Sequence, residues 1–329
     1  MDTSLSHQNS LIVVPLGTTF LHAPLISHEL TVLLESALAK KEKTLLLYNR
    51  RGFGRAWICQ DCGYYPLCPN CDIALAYHTS PQKQLICHHC SHTTALFLDC
   101  PSCGGQRFQS VGLGIQEIES HISRLFPRAS LLRVDSDKDE KKQTITNAIE
   151  HHDIILATYA SLGLIHSGIH YIVSLLFESE LTLPDYRMEE ELYHTLEYLK
   201  KSGTPLMIQT YTPEHPLLTL LLEGNYKDFL TRMSSEREKF DYPPYTQFAL
   251  LRIHDERREK VEDMVARIVN KIETIKTPDI FIAYDKELHE KYRGEWSQKI
   301  ILKGKNLDVL IRELEVEILR NRSVTLEWR

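Results

Sequence analysis

Apolar residues recur at two spacings along the chain. From His28 to Glu42 (HELTVLLESALAKKE) they fall at the spacing of a helix. The next stretch, Thr44 to Asn49 (TLLLYN), is a continuous apolar run suited to a buried parallel strand. The runs LIVVPLG and HYIVSLLF read the same way. After residue 107 the alternation resumes: GIQEIESHISRLFP is a helix stopped by Pro127, LLRVD a strand, DEKKQTITNAIEHH a helix and DIILAT a strand. IHYIVSLLF then reads as a strand, MEEELYHTLEYLKKSG as a helix closed by Gly203, and PLMIQT as a strand. Strands alternating with helices predict a parallel α/β sheet.

From His215 a long helical stretch, HPLLTLLLEGNYKDFLTRMSSEREKF, runs to DYPPY (Asp241 to Tyr245), where paired prolines mark a boundary. Beyond it the order changes to strand (QFALLRIHD), helix (REKVEDMVARIVNKIETI), strand (DIFIAY), strand (YRGEWSQKIILKG), helix (LDVLIRELEVEILRN) and strand (SVTLEW). That β-α-β-β-α-β order predicts a small ferredoxin-like α+β domain.

Length and composition are those of a multidomain globular protein, at 329 residues with 25% charged side chains. No apolar run reaches the roughly 18 residues of a membrane span, and Met1 to Ser10 has no basic signal-peptide start, so a soluble cytoplasmic protein is expected. The net charge of −6 is concentrated in residues 111–231, which hold 10 basic against 18 acidic side chains. The flanking segments are near neutral and carry basic clusters, among them Lys40, Lys41 and Lys43, then Arg50, Arg51 and Arg55. Arg252, Arg257, Arg258 and Lys260 form a third, and Lys299, Lys303 and Lys305 a fourth.

All eight cysteines fall in one stretch as four C-x-x-C pairs: Cys59/Cys62, Cys68/Cys71, Cys87/Cys90 and Cys100/Cys103. Each such turn points two thiolates at one place, and two turns complete the closed Cys₄ shell of a structural zinc. Two structural Zn²⁺ ions are therefore expected rather than disulfides or redox pairs, because cytosolic thiols stay reduced. Spacing leaves the grouping open between adjacent pairs and a nested arrangement. His88 and His89, inside the third pair, are surplus to a complete sulfur set. The chain has no G-x-x-x-x-G-K-[ST] phosphate loop and no G-x-S-x-G elbow. Arg50 and Arg51 follow the TLLLYN strand directly, at the strand end where α/β sheets bind ligands.

The order LLLYNRRGFG, four C-x-x-C pairs with CHHC third, VGLGIQEIESHISRLFPRASLLRVDSD, DIILAT, LPDYRMEEE, IQTYTPEHPLL and EREKFDYPPY resembles the C-terminal half of the bacterial primosomal replication-restart helicases, the primosomal protein N-prime (PriA) family. The resemblance runs from about Ala23 to the end. It implies a RecA-like helicase lobe 2 at residues 1–55 and 108–240, an inserted double-zinc domain at 56–107 and a C-terminal DNA-binding α+β domain at 241–329. It also implies nested metal pairing, with Cys59, Cys62, Cys100 and Cys103 on one zinc and Cys68, Cys71, Cys87 and Cys90 on the other. The family's first lobe, with its phosphate loop and Asp-Glu box, is expected to be absent.

Lobe 2 departs from the family pattern too. The family's arginine-finger motif is replaced by TLEYLKKSG (Thr195 to Gly203), which has no arginine. Such an arginine contributes on the order of 10³ to 10⁵ in rate, and Lys200 or Lys201 lacks its planar fork. The expected function is a primosome-associated DNA-binding protein of replication restart that lacks its own ATPase and does not use ATP. It would recognise branched or single-stranded DNA and contact replication-restart or single-strand-binding proteins. Arg50, Arg51, Arg55, Arg252, Lys303 and Lys305 would meet phosphate, while Tyr64, Tyr65 and Tyr77 would stack on bases or else pack a small metal domain. The alternatives are a lobe-2 subunit of a split ATP-dependent 3′–5′ helicase, completed by a separate lobe-1 chain, and a zinc-dependent protein-interaction adaptor.

Overall fold

The computed structural model describes residues 11–49, 55–71, 73–78, 82–88, 90–111, 113–134, 142–165, 168–181, 185–284, 295–315 and 321–329. Six parallel strands form the largest sheet, in the spatial order Leu11–Pro15, Leu206–Thr210, Tyr171–Ser174, Thr44–Leu47, Ile154–Ala157, Leu131–Val134. Successive residues of a strand face opposite sides, and both sides here are covered. Leu46, Ile154, Leu156 and Val173 pack against the helices His28–Lys40 and Ile115–Leu125 through Leu30, Leu34, Ile118 and Ile122. Leu45, Leu47, Ile155 and Ile172 pack on the other side against Lys142–Glu150, Met188–Lys201, Pro216–Glu223 and Tyr226–Lys239. LIVVPLG lies at the sheet's edge, and its strand residues are mostly half-buried.

The stretch from His215 is two helices rather than one. Gly224 ends the first in a left-handed conformation at φ 69°, and the Asn225 side chain accepts from the Asp228 N–H at 3.2 Å to start the second. The Lys200 ammonium donates to the Leu221 carbonyl at 2.6 Å and so caps the end of the first helix.

After the Thr44–Leu47 strand the chain leaves the parallel sheet and returns to it at the Ile115–Leu125 helix. In between, the strands Arg55–Cys59, Ala76–His78, Gln84–Ile86, Thr93–Thr94 and Phe108–Val111 build a five-stranded antiparallel sheet. Trp57 stacks between Tyr77 and Phe108 at centroid distances of 4.7 and 5.7 Å. The Tyr48 hydroxyl donates to the Leu113 carbonyl at 2.8 Å and accepts from the Leu113 N–H at 2.9 Å, clasping the outgoing and returning chain together.

Beyond Tyr245 the order strand–helix–strand–strand–helix–strand gives a four-stranded antiparallel sheet, ordered Phe281–Tyr284, Trp296–Gly304, Gln247–Asp255, Val324–Trp328. Ala249, Leu251, Ile253, Ile300 and Leu302 face the helix Arg258–Ile275 and the helix Leu307–Glu313. The opposite face, with Phe248, Leu250, Ala283 and Ile301, packs on Tyr242, Tyr186, Phe240 and Cys90. Tyr242 thus stands between the C-terminal sheet and the cysteine turns, its hydroxyl reaching the Cys71 carbonyl at 3.3 Å.

Candidate metal centres and the surfaces around them

The four C-x-x-C turns share one backbone design. In each, the first cysteine's N–H donates to the carbonyl five residues on, from Cys59 to Tyr64, Cys68 to Ile73, Cys87 to His92 and Cys100 to Gly105, each at 2.8 Å. In three of them the residue after the second cysteine is left-handed and donates back to the first cysteine's carbonyl at 2.8 Å: Gly63 at φ 77°, Ser91 at φ 59° and Gly104 at φ 72°. This folding aims both sulfurs of a turn the same way.

The turns meet in a nested arrangement. Cys59, Cys62, Cys100 and Cys103 form one cluster, and Cys68, Cys71, Cys87 and Cys90 the other, with the sulfurs of each set within 4.8 Å of one another. Sulfur–sulfur separations of 3.8 Å (Cys59–Cys103), 3.6 Å (Cys62–Cys100) and 3.5 Å (Cys68–Cys90) are far too long for disulfides. They approach the edge of about 3.8 Å that a tetrahedron has when its metal–sulfur bonds are about 2.3 Å. Four soft donors at that spacing fit Zn²⁺ in a closed, structural coordination shell. The clusters differ in setting. Cys62 and Cys103 of the first are exposed, whereas Cys68, Cys71 and Cys87 of the second are buried, with Cys90 half-buried in the joint with the C-terminal sheet.

The first cluster is seated on the parallel sheet through Gly63, which lies so close to the Tyr211 carbonyl and the Thr212 side chain that a Cβ there would overlap both. That stretch of backbone is itself fixed. Glu178, fully buried, accepts through Oε1 from the Thr210 hydroxyl at 2.6 Å, the Tyr211 N–H at 2.9 Å, the Thr212 N–H at 3.0 Å and the Thr212 hydroxyl at 2.7 Å. Burial raises the Glu178 carboxyl above the usual range, opposed by these bonds. Glu180, close by and hydrogen-bonded to Asn49, is pushed up to about 8 by burial.

Several side chains expected to contact nucleic acid have other partners. Lys303 is only 8% exposed; its ammonium donates to the Phe240 carbonyl at 2.6 Å and lies 4.7 Å from the centre of the Tyr242 ring. The expectation of a phosphate contact is corrected there: Lys303 stands at every second position of its strand with Lys299 and Ile301, and that face is covered by other parts of the chain. Tyr65 stacks on His215 and hydrogen-bonds its Nε2 at 3.1 Å, so it joins the cysteine module to the parallel sheet rather than offering a ring to a base. The shared contact is dry enough that burial lowers His215 to about 4. Tyr64 packs edge-on against Phe97, and Tyr77 lies in the Trp57 stack. Arg252 is half-exposed, 3.5 Å from Glu327, and Lys305 is exposed. Arg50 and Arg51 lie outside the described residues, as does the side chain of Arg55.

Sequence reasoning missed the residues that hold the modules together: Tyr48, Glu178, His215 and Tyr242. Buried aromatic and acidic residues leave no periodic signal. The glycines directly after Cys62 and Cys103 were the visible trace of the left-handed turns.

Residues 68–94 match the family model described as the PriA DNA helicase Cys-rich region (CRR) domain. The chain is 31% identical over 75% of its length to the replication restart protein PriA of Bacillus subtilis, 30% identical over 74% to that of Synechocystis, and 29% identical over 74% to that of Haemophilus influenzae. It spans about a third of the length of these relatives, 32%, 31% and 35% respectively. Among the described residues no helix is long and apolar enough to cross a membrane. A cysteine module of the PriA type, similarity over three quarters of the chain and two four-sulfur clusters lead to one assignment: the chain is a PriA C-terminal-like protein with a zinc-binding cysteine region.

Proposed function

We propose that the chain is a DNA-binding scaffold of replication restart, holding two structural zinc ions and lacking an ATPase of its own. Its parts would be a RecA-like helicase lobe 2 (residues 1–55 and 108–240), a double-zinc domain (56–107) and a ferredoxin-like DNA-binding domain (241–329). The six-stranded parallel sheet with helices on both faces supports the first assignment, and the strand order of the C-terminal sheet supports the third. One zinc would sit among Cys59, Cys62, Cys100 and Cys103, and the other among Cys68, Cys71, Cys87 and Cys90.

The observation that carries the reading is that similarity to replication restart proteins runs through the cysteine module and the α/β part together, over three quarters of the chain. Branched or single-stranded DNA would be met by Arg50, Arg51 and Arg55, which follow the Thr44–Leu47 strand in sequence, and by the exposed Lys305. Replication-restart or single-strand-binding proteins are the expected protein partners.

A phosphate loop is missing from the 329 residues. Lys200, in the segment that replaces the arginine motif, caps a neighbouring helix, and Lys201 pairs with Glu197 at 2.9 Å. Both lysines are engaged locally, which disfavours a split helicase. Binding to forked DNA across a salt series, with ATP turnover measured in the same samples, tests the proposal. A steep fall of affinity with salt and no turnover are expected. Salt-independent binding, no binding at low salt, or DNA-stimulated hydrolysis would overturn it.

A further inference from the structure

The buried cysteine cluster lies against the C-terminal sheet, and its partners there are not neutral packing. Four thiolates on a divalent zinc leave a net charge of about −2, which is costly in a buried site unless a cation or hydrogen-bond donors face it. On the C-terminal side stands Lys303, buried itself. Among the described residues no carboxylate forms an ion pair with it, and its hydrogen bond goes to the neutral Phe240 carbonyl. Its ammonium sits over the Tyr242 ring at 4.7 Å, and the Tyr242 hydroxyl reaches the Cys71 carbonyl at 3.3 Å.

Two further contacts join the same partners. Cys90 packs among Phe248, Leu250 and Ile301. Ser91, in the left-handed position of the third C-x-x-C turn, donates its hydroxyl to the Tyr284 carbonyl at 3.0 Å. A buried lysine is unfavourable alone and a buried anionic metal site is unfavourable alone; each relieves the other across this joint.

We infer that Lys303 is the counter-cation of the metal centre formed by Cys68, Cys71, Cys87 and Cys90, and that metal occupancy there holds the C-terminal sheet docked. Burial pulls the Lys303 ammonium below the ordinary lysine range, and an anionic neighbour opposes that pull. The inference rests on the reading of both cysteine clusters as zinc sites. The exposed first cluster makes no such contact with the C-terminal sheet among the described residues, so the two metals differ in consequence.

The full chain tests this in two measurements: the rate of zinc release to a colorimetric chelator, and amide hydrogen exchange along Gln247–Asp255. In Lys303→Met one of two zinc ions is expected to leave about tenfold faster while the other keeps the wild-type rate, and Lys303→Arg should stay within about twofold of wild type. Cys90→Ser should unprotect Gln247–Asp255, whereas Cys62→Ser, in the first cluster, should leave that strand protected. Unchanged release from Lys303→Met, acceleration of both ions alike, or equal exchange in the two cysteine variants overturns the coupling while leaving two zinc sites standing. A wild-type chain that purifies without zinc overturns the zinc reading, and the coupling with it.

Discussion

The Tyr48 hydroxyl and the Leu113 backbone satisfy each other twice, once as donor and once as acceptor, across 65 residues of sequence. A module inserted between a strand and a helix must begin and end at nearly one point, and this pair supplies that point. Removing the hydroxyl in Tyr48→Phe leaves the half-buried Leu113 N–H and C=O without their partner. The expected loss is about 1–3 kcal/mol in chemical denaturation. A change within about 0.5 kcal/mol would mean that the strand pairing of Ala56 with Val111 closes the insertion unaided.

Gly63 offers a second point of attack on the same insertion. It combines a left-handed backbone with a surface that already touches the Tyr211 carbonyl and Thr212, and Glu178 prevents that backbone from retreating. Gly63→Ala should cost about 2–4 kcal/mol through strain and overlap. The Tyr65–His215 contact should loosen as well, read out as an NMR shift of the His215 ring. An unperturbed His215 signal would show that the module is seated elsewhere.

Glu180 gives stability a pH dependence of defined sign. Its folded pKa is raised from 4.5 to about 8, so between those values the folded chain holds a proton that the unfolded chain has released. That contribution favours folding at low pH and fades as pH rises through the window, by up to about 1.4 kcal/mol per pH unit. Glu180→Gln should flatten the fall in stability from pH 5 to pH 8 and be relatively most stabilising at the alkaline end. Parallel curves for the two proteins would refute the assignment.

Phosphate contact can be apportioned by charge removal. Lys305→Ala should weaken fork binding regardless of sequence and reduce the slope of log affinity against log salt by about one, and Arg50→Ala with Arg51→Ala by about two. Lys303→Met, which removes a cation facing the protein interior, should leave the slope unchanged. A reduced slope there would return Lys303 to the nucleic-acid surface.

The period of a pattern says which residues share a face, and that was enough for the six parallel strands and for the strand–helix order of the C-terminal part. It does not say what the face meets. Lys299, Ile301 and Lys303 alternate with Ile300 and Leu302, as on a half-solvated strand, yet both faces are covered, one by helices and one by the rest of the chain. The same limit applies to Tyr64, Tyr65 and Tyr77. The grouping of the cysteine pairs was open from spacing because local turns fix the two sulfurs of a pair, while only the tertiary fold decides which turns meet. Gly224 followed by Asn225 carried a visible stop-and-start signal, overridden in the reading by the continuous apolar period around it.

Four-stranded antiparallel sheets often serve nucleic acids as a flat table on which bases are laid. Here that table is already set, its upper surface taken by Tyr242, Tyr186 and Phe240. That face is closed to bases, and the exposed Lys305 could offer DNA only a charge for its backbone.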